Sequence, residues 1–258
     1  MTELADSPFE PPRLRAVGIT APLRWLGHGF ADMLAAPGAS LFYGSVLALM
    51  GWALVTYYGG AIGLALTTGF LLIGPFLAVG IYDISRQLAG GTALDVARTL
   101  TAWRANRPAI GFYALILMLS LAVWMRISVV LVALLVPNGF ESLADFLALM
   151  ARSPGMWVFL LIYLGIGALL ATFSFAISAV ALPMLLDRTE MDAISAMIAS
   201  FHAICRNPRP MLLWAALIVV LIGAGFTTWF VGLVITVPLV GHATWHAYRD
   251  VVLPPGAP

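Results

Sequence analysis

The sequence predicts an all-α, polytopic membrane protein: a bundle of six spanning helices, three amphipathic helices along its cytoplasmic face, and a pseudo-threefold parallel repeat. Three observations predict it. Of 258 residues, 62% are hydrophobic and only 10% charged, where a soluble domain is about a quarter charged. So apolar a chain cannot cover itself with polar groups, and lipid must be part of its solvent. Apolar stretches near the ~20 residues that a bilayer requires recur along the chain. The arginines, finally, gather in alternate connections.

The spans are expected at residues 40–58, 61–84, 110–132, 156–185, 211–225 (extending to about 228) and 230–247. The third and fourth exceed the bilayer thickness, so they tilt, kink or project. The fifth and sixth are short and joined by a tight turn near Thr227 and Thr228.

All thirteen cationic side chains, histidine aside, are arginine. Arg13, Arg15 and Arg24 precede the first span. Arg86, Arg98, Arg104 and Arg107 lie between the second and third, and Arg188, Arg206 and Arg209 between the fourth and fifth. Arg249 follows the sixth. Those eleven fall on one side of a six-span arrangement, with Arg152 opposite and Arg126 inside the third span. Positive charge stays cytoplasmic, which places both ends of the fold in the cytoplasm. Residues 1–21 read as a disordered cytoplasmic tail without a signal peptide, residues 22–251 as the membrane domain, and 252–258 as a short tail.

Residues 22–36, 93–105 and 190–205 show helical apolar spacing among polar residues and are expected to lie as amphipathic helices at the cytoplasmic interface. A fourth, 141–150, is expected on the outer side after an Asn138-Gly139 turn, with Phe146, Leu147 and Met150 as its apolar face. Each cytoplasmic helix leads into a Pro at a span entrance (Pro37, Pro108, Pro210), a position where the missing N–H is not needed. This suggests three repeat units, about 22–86, 93–188 and 190–249, in one orientation.

His242 and His246 share a helix face at i, i+4, and His202 and Cys205 lie at i, i+3. With His28, these are expected on the cytoplasmic side. They are weak candidates for metal or haem ligation. Hydrogen bonding to carbonyls or headgroups is the favoured reading, with Trp245 and Tyr248 as an aromatic belt. A lone cysteine excludes an intramolecular disulfide. Arg126 lies about 16 residues, roughly 24 Å, into its span, where it is expected to snorkel or pair with Glu141 or Asp145. Asp83 and Asp187 close the second and fourth spans, with Arg86, Arg188 or a neighbouring Arg as their default partners, and Arg249 is a further interface or charge-pair candidate.

No Asp, Glu or Lys is predicted mid-membrane, so an ion-coupled pathway has no relay. There is no phosphate-binding Gly loop, HExxH or GxSxG. A net charge of +1 gives no case for nucleic acid.

The stretches Ala36-Pro37-Gly38-Ala39-Ser40-Leu41-Phe42-Tyr43-Gly44, Gly69-Phe70-Leu71-Leu72-Ile73-Gly74-Pro75-Phe76-Leu77-Ala78-Val79-Gly80-Ile81-Tyr82 and Gly241-His242-Ala243-Thr244-Trp245-His246-Ala247-Tyr248-Arg249 resemble the bacterial family of predicted integral membrane proteins called domain of unknown function 2189. The likeness runs from about residue 23 to 251. It implies an integral membrane protein and no particular activity. Some members carry a cytochrome c oxidase label, which implies association with a respiratory complex, although the histidine ligand pattern of a haem–copper subunit is missing. The expected function is a non-enzymatic accessory or scaffold subunit without a cofactor, binding other membrane proteins or lipid. The alternatives are a transporter or channel for a small or amphiphilic solute and a haem- or metal-binding component.

Overall fold

The computed structural model describes residues 12–136 and 139–254, excepting the side chains of residues 71–73 and 143. It is all-α. In chain order the helices are α1 (Ala21–Ala35), α2 (Pro37–Tyr57), α3 (Gly60–Leu77), α4 (Val79–Ala89) and α5 (Val96–Leu100), then a 3-10 turn (Ala102–Asn106). They continue with α6 (Arg107–Leu135), α7 (Leu143–Arg152), α8 (Gly155–Ser178), α9 (Ala181–Asp187), α10 (Ala193–Arg206), α11 (Pro208–Thr227) and α12 (Leu233–Val251). The only β pairing among the described residues is an isolated bridge between Leu14 and Val252.

Among the described residues, four stretches are long and apolar enough to cross a membrane: Pro37–Tyr57, Ala102–Leu135, Gly155–Asp187 and Pro208–Thr227. Of the other two expected spans, 230–247 falls on the single helix α12, which starts at Leu233, and 61–84 is divided. Residues 61–84 break at Ala78 into α3 and α4, with Pro75 inside α3. The carbonyl at i−4 from a proline loses its backbone donor, which weakens the ladder just before the break. Residues 156–185 break likewise, at Ala179 and Val180, where α8 gives way to α9. The amphipathic helix expected over 93–105 is two short pieces, α5 and the 3-10 turn, the first capped by the Asp95 side chain accepting from the Arg98 N–H at 3.0 Å.

The chain folds as two compact units. The first comprises Met1–Ala48, Pro75–Tyr113 and Phe175–Pro258. Its centre is α12, along which α1 packs, with α4, α9 and α11 against its other sides. Glycine permits the approach. A Cβ on Gly29 of α1 would sit 2.6 Å from the backbone nitrogen of Ala243, and one on Gly44 of α2 would overlap the Val234 carbonyl of α12. Trp25, Trp214 and Trp245 are fully buried, and the first two meet edge to face at 5.8 Å, a geometry the ring quadrupoles favour.

The tail expected to be disordered is described from residue 12 onward, and there it is fixed. The Arg15 N–H donates to the Val251 carbonyl at 2.8 Å, and the Leu253 N–H to the Arg13 carbonyl at 2.9 Å. Asn207 holds the same strand from the side, accepting from the Val17 N–H at 2.8 Å and donating to the Arg15 carbonyl at 3.0 Å. Residues 1–11, Asn138 of the expected turn and residues 255–258 lie outside the described residues.

Between α11 and α12, Trp229 and Phe230 take φ of 54° and 68°. Left-handed backbone costs an L residue roughly 1–2 kcal/mol. Burial of Phe230 against Ala48 and Leu233 offsets that cost and holds the turn.

The second unit comprises Leu49–Gly74 and Ala114–Ser174. Its core joins Trp124, Val132 and Val136 of α6 and its end to Met156, Phe159 and Tyr163 of α8, with Phe146 and Met150 of α7 packed on it. The amphipathic helix expected near 141–150 is α7, opened by a capping box in which Ser142 and Asp145 satisfy each other's backbone donors. The polar groups of this unit pair within the apolar core. Trp124 donates to Thr68 at 2.9 Å, Thr68 and Tyr163 share a hydrogen bond at 3.1 Å, and Tyr163 and Ser128 another at 2.7 Å.

Replacing Gly44 by alanine is expected to lower stability by about 1–3 kcal/mol, because the obstructing atom is backbone and cannot rotate away. Gly111 of α6 serves as the control, since a methyl added there would meet nothing within 4 Å. Its alanine variant is expected to melt at or above the wild-type temperature. Thermal unfolding in detergent reads both.

Candidate functional site

The polar residues of the first unit converge on one carboxylate. Asp32 lies on the face of α1 that packs toward α4 and α12. Its Oδ2 accepts from the Ser85 hydroxyl of α4 at 2.6 Å and meets Nε2 of His246 on α12 at 2.9 Å. Ser85 also lies 2.7 Å from Nδ1 of His242, one turn before His246. The serine spends its single proton on Asp32, so Nδ1 of His242 must be the donor in their contact. The other ring nitrogen, Nε2, faces the Ser40 hydroxyl of α2 at 2.9 Å, and that hydroxyl also reaches the Ala36 carbonyl at 2.8 Å. Ser40, Ser85 and His242 are buried. A hydrogen-bonded chain thus runs from Ser40 through His242 and Ser85 to Asp32 and His246, and it joins four helices.

The chain ends at a cavity of about 260 Å³ lined by Arg24, Trp25, His28, His246, Arg249 and Asp250. The His28 and His246 rings are tilted by 33° with centroids 5.1 Å apart. Asp250 accepts from the Trp25 indole at 3.0 Å and from Arg24 at 3.3 Å, and it pairs with Arg15 at 3.5 Å. Arg249 pairs with Asp187 at 3.5 Å. Each arginine uses part of a five-donor fork here, so N–H groups remain for a further acceptor. Burial works against the Asp32 charge. The hydrogen bonds from His246 and Ser85, with the attraction of the two histidines, outweigh it and hold the carboxyl below its ordinary value.

The other sequence candidates lie as follows. Asp83 is buried, paired with Arg86 and accepting from Gln87 at 2.9 Å. Arg86 also donates to the Leu186 carbonyl at 2.6 Å, tying α4 to α9. The partners of Asp187 are Arg249 and the Tyr248 hydroxyl, the latter at 2.6 Å, whereas Arg188 turns to the Leu253 carbonyl. Arg126 on α6 makes no ion pair with Glu141 or Asp145. One physical reason is that Asp145 is engaged with the Ser142 hydroxyl and N–H. His202 and Cys205 are exposed on α10 and stand outside the histidine chain. Both His242 nitrogens are already occupied by serines, and no group of three His, Cys, Asp or Glu side chains placed to hold a metal ion occurs among the described residues.

Asp32, Ser40, Ser85, Trp25 and Asp250 are site residues that hydropathy and spacing do not single out. One signal is nonetheless present: Asp32 is the single acid within residues 22–36, four positions from His28 on the same helix face.

Asp32→Asn keeps the shape and removes the charge. It is expected to cost about 2 kcal/mol, since hydrogen bonds to a charged acceptor are the strong ones. The carboxyl titrates lower in the folded than in the unfolded chain. Its contribution is therefore complete above the ordinary carboxylate value, near ~3.9, and is lost as pH falls through the lower folded value. Detergent melts across pH are expected to show a shallower acid-side loss in the variant.

Comparison with curated proteins finds no match, and neither does comparison with solved structures. The model of one family, described as predicted integral membrane protein (DUF2189), matches residues 63–187. That segment runs from α3 to the end of α9 and takes in Asp83, Arg86 and Ser85 of the site. The chain is an integral membrane protein, and over residues 63–187 it is similar to that family of predicted integral membrane proteins.

Proposed function

We propose that the protein is a non-enzymatic accessory or scaffold subunit of a bacterial inner membrane, with six spans and both ends of its fold in the cytoplasm, binding other membrane proteins or lipid. The observation that carries this reading is the outward face of the short helices. The face of α1 that packs inward is buried, yet Leu23, Phe30 and Leu34 on its other side are exposed. On α10, Ile194, Ile198 and Phe201 are exposed in the same way, as are Val96, Leu100 and Trp103 of α5 and the 3-10 turn. A helix apolar on both faces has a second apolar neighbour, which is lipid or another protein.

In this reading α3 with α4 forms the second span and α12 the sixth. The threefold repeat has support in the corners. The chain passes from α1 to α2, from the 3-10 turn to α6 and from α10 to α11 with at most one intervening residue, each time with a proline at or next to the start of the longer helix. The arginine partition supports the orientation.

Two measurements test this. Cys205 is the sole cysteine and is exposed, so an impermeant maleimide is expected to label it in inside-out vesicles and leave it unlabelled in intact cells. The reverse pattern refutes the orientation. Purification in mild detergent is expected to bring down a defined membrane protein or retained lipid, and a bare, monodisperse monomer contradicts the role.

A further inference from the structure

The cavity lined by Arg24, His28, His246 and Arg249 has an electrostatic character that the binding role above does not by itself specify. We propose that it is a phosphate-binding site for the headgroup of an anionic phospholipid, whose acyl chains lie along the exposed stripe Leu23, Phe30 and Leu34 of α1. The proposal rests on that binding role and names its ligand class.

Three observations converge. Arg24 and Arg249 line the cavity with side chains 60% and 54% exposed. Each spends one N–H on a carboxylate, so the rest of its fork is available to phosphate oxygens, which guanidinium matches in geometry. Two imidazoles, the Trp25 indole and the Asp250 carboxylate complete the lining. His246 is held by Asp32 at 2.9 Å, and the exposed His28 ring lies tilted against it at 5.1 Å, so one imidazole is fixed before any ligand arrives and the other flanks it. The acids nearby, Asp32, Asp187 and Asp250, are each engaged by cationic or hydroxyl donors, which limits their repulsion of an anion.

The second part of the argument is position. Arg24 and His28 lie at i, i+4 on α1, and Leu23, Phe30 and Leu34 form the adjoining exposed stripe of the same helix. A soluble phosphate compound has no use for that stripe. A phospholipid uses both, with its phosphate in the cavity and its hydrocarbon on the leucines and phenylalanine. About 260 Å³ of space admits the phosphate together with part of the polar group esterified to it.

The test uses the full chain in a neutral detergent. Phosphatidylglycerol, phosphatidylcholine and inorganic phosphate are titrated separately, with bound lipid counted by native mass spectrometry. Phosphatidylglycerol is expected to bind at least about tenfold more tightly than phosphatidylcholine. R24Q/R249Q is expected to abolish that preference, while R98Q, on α5 outside the cavity, is expected to keep it. R24Q alone, at an exposed side chain, is expected to lose part of it with an unchanged melting temperature, which separates loss of the site from loss of the fold. Equal retention of the two lipids, or a preference that survives R24Q/R249Q, overturns the proposal. Displacement of phosphatidylglycerol by inorganic phosphate at equal concentration assigns the site to a soluble phosphate and overturns the lipid. If the preference is absent yet a protein partner still co-purifies, this inference fails and the scaffold role stands.

Discussion

The first unit depends on a polar constraint more than on an apolar one. Asp32 sits partly buried where α1 packs on α4 and α12, and an uncompensated carboxylate there would be costly. Ser85, His246 and, through the serine, His242 and Ser40 compensate it. Because those partners come from α2, α4 and α12, satisfying one charge fixes the rotation of four helices about their axes. Hydrophobic contact cannot supply this information, since an apolar face tolerates sliding and rotation that a 2.6–2.9 Å hydrogen bond does not. The glycines at positions 29 and 44 play the complementary part. They let the backbones approach closely enough for those short side chains to meet.

The second unit meets the same demand differently. In its core the Trp124 indole and the hydroxyls of Thr68, Ser128 and Tyr163 are uncharged and serve one another. No proton or charge has to be stabilised, so aromatic packing among Trp124, Tyr163, Phe159 and Phe146 can surround them closely. Arg126, on the same helix as Trp124, takes no part in that network.

Helix positions are largely legible in the sequence, because hydrophobic length and periodicity are local properties. The long apolar runs over 37–57 and 208–227 and the amphipathic pattern over 193–206 need no tertiary knowledge. The interruptions at Ala78 and at Ala179–Val180 are less legible, since hydropathy does not register a change of axis within a run that stays apolar. The site is legible only in part. His242 and His246 announce themselves by spacing, but their partners are serines and an aspartate up to 214 positions away, selected by how α1 and α4 pack on α12. Likewise Asp187 finds Arg249 from another helix where its neighbour Arg188 is the simpler expectation, because Arg188 reaches a backbone carbonyl that only the folded chain presents.

The antiparallel bridge between Leu14 and Val252 has a mechanical corollary. It brings two distant parts of the chain into register and so closes the first unit into a loop. Tension applied between those positions would load the bridge and the Asn207 hydrogen bonds beside it. Arg13 and Leu253 thus lie side by side, and Arg15 beside them pairs with the Asp250 that lines the cavity. A reporter attached at Arg13 or at Leu253 would therefore sample the same neighbourhood.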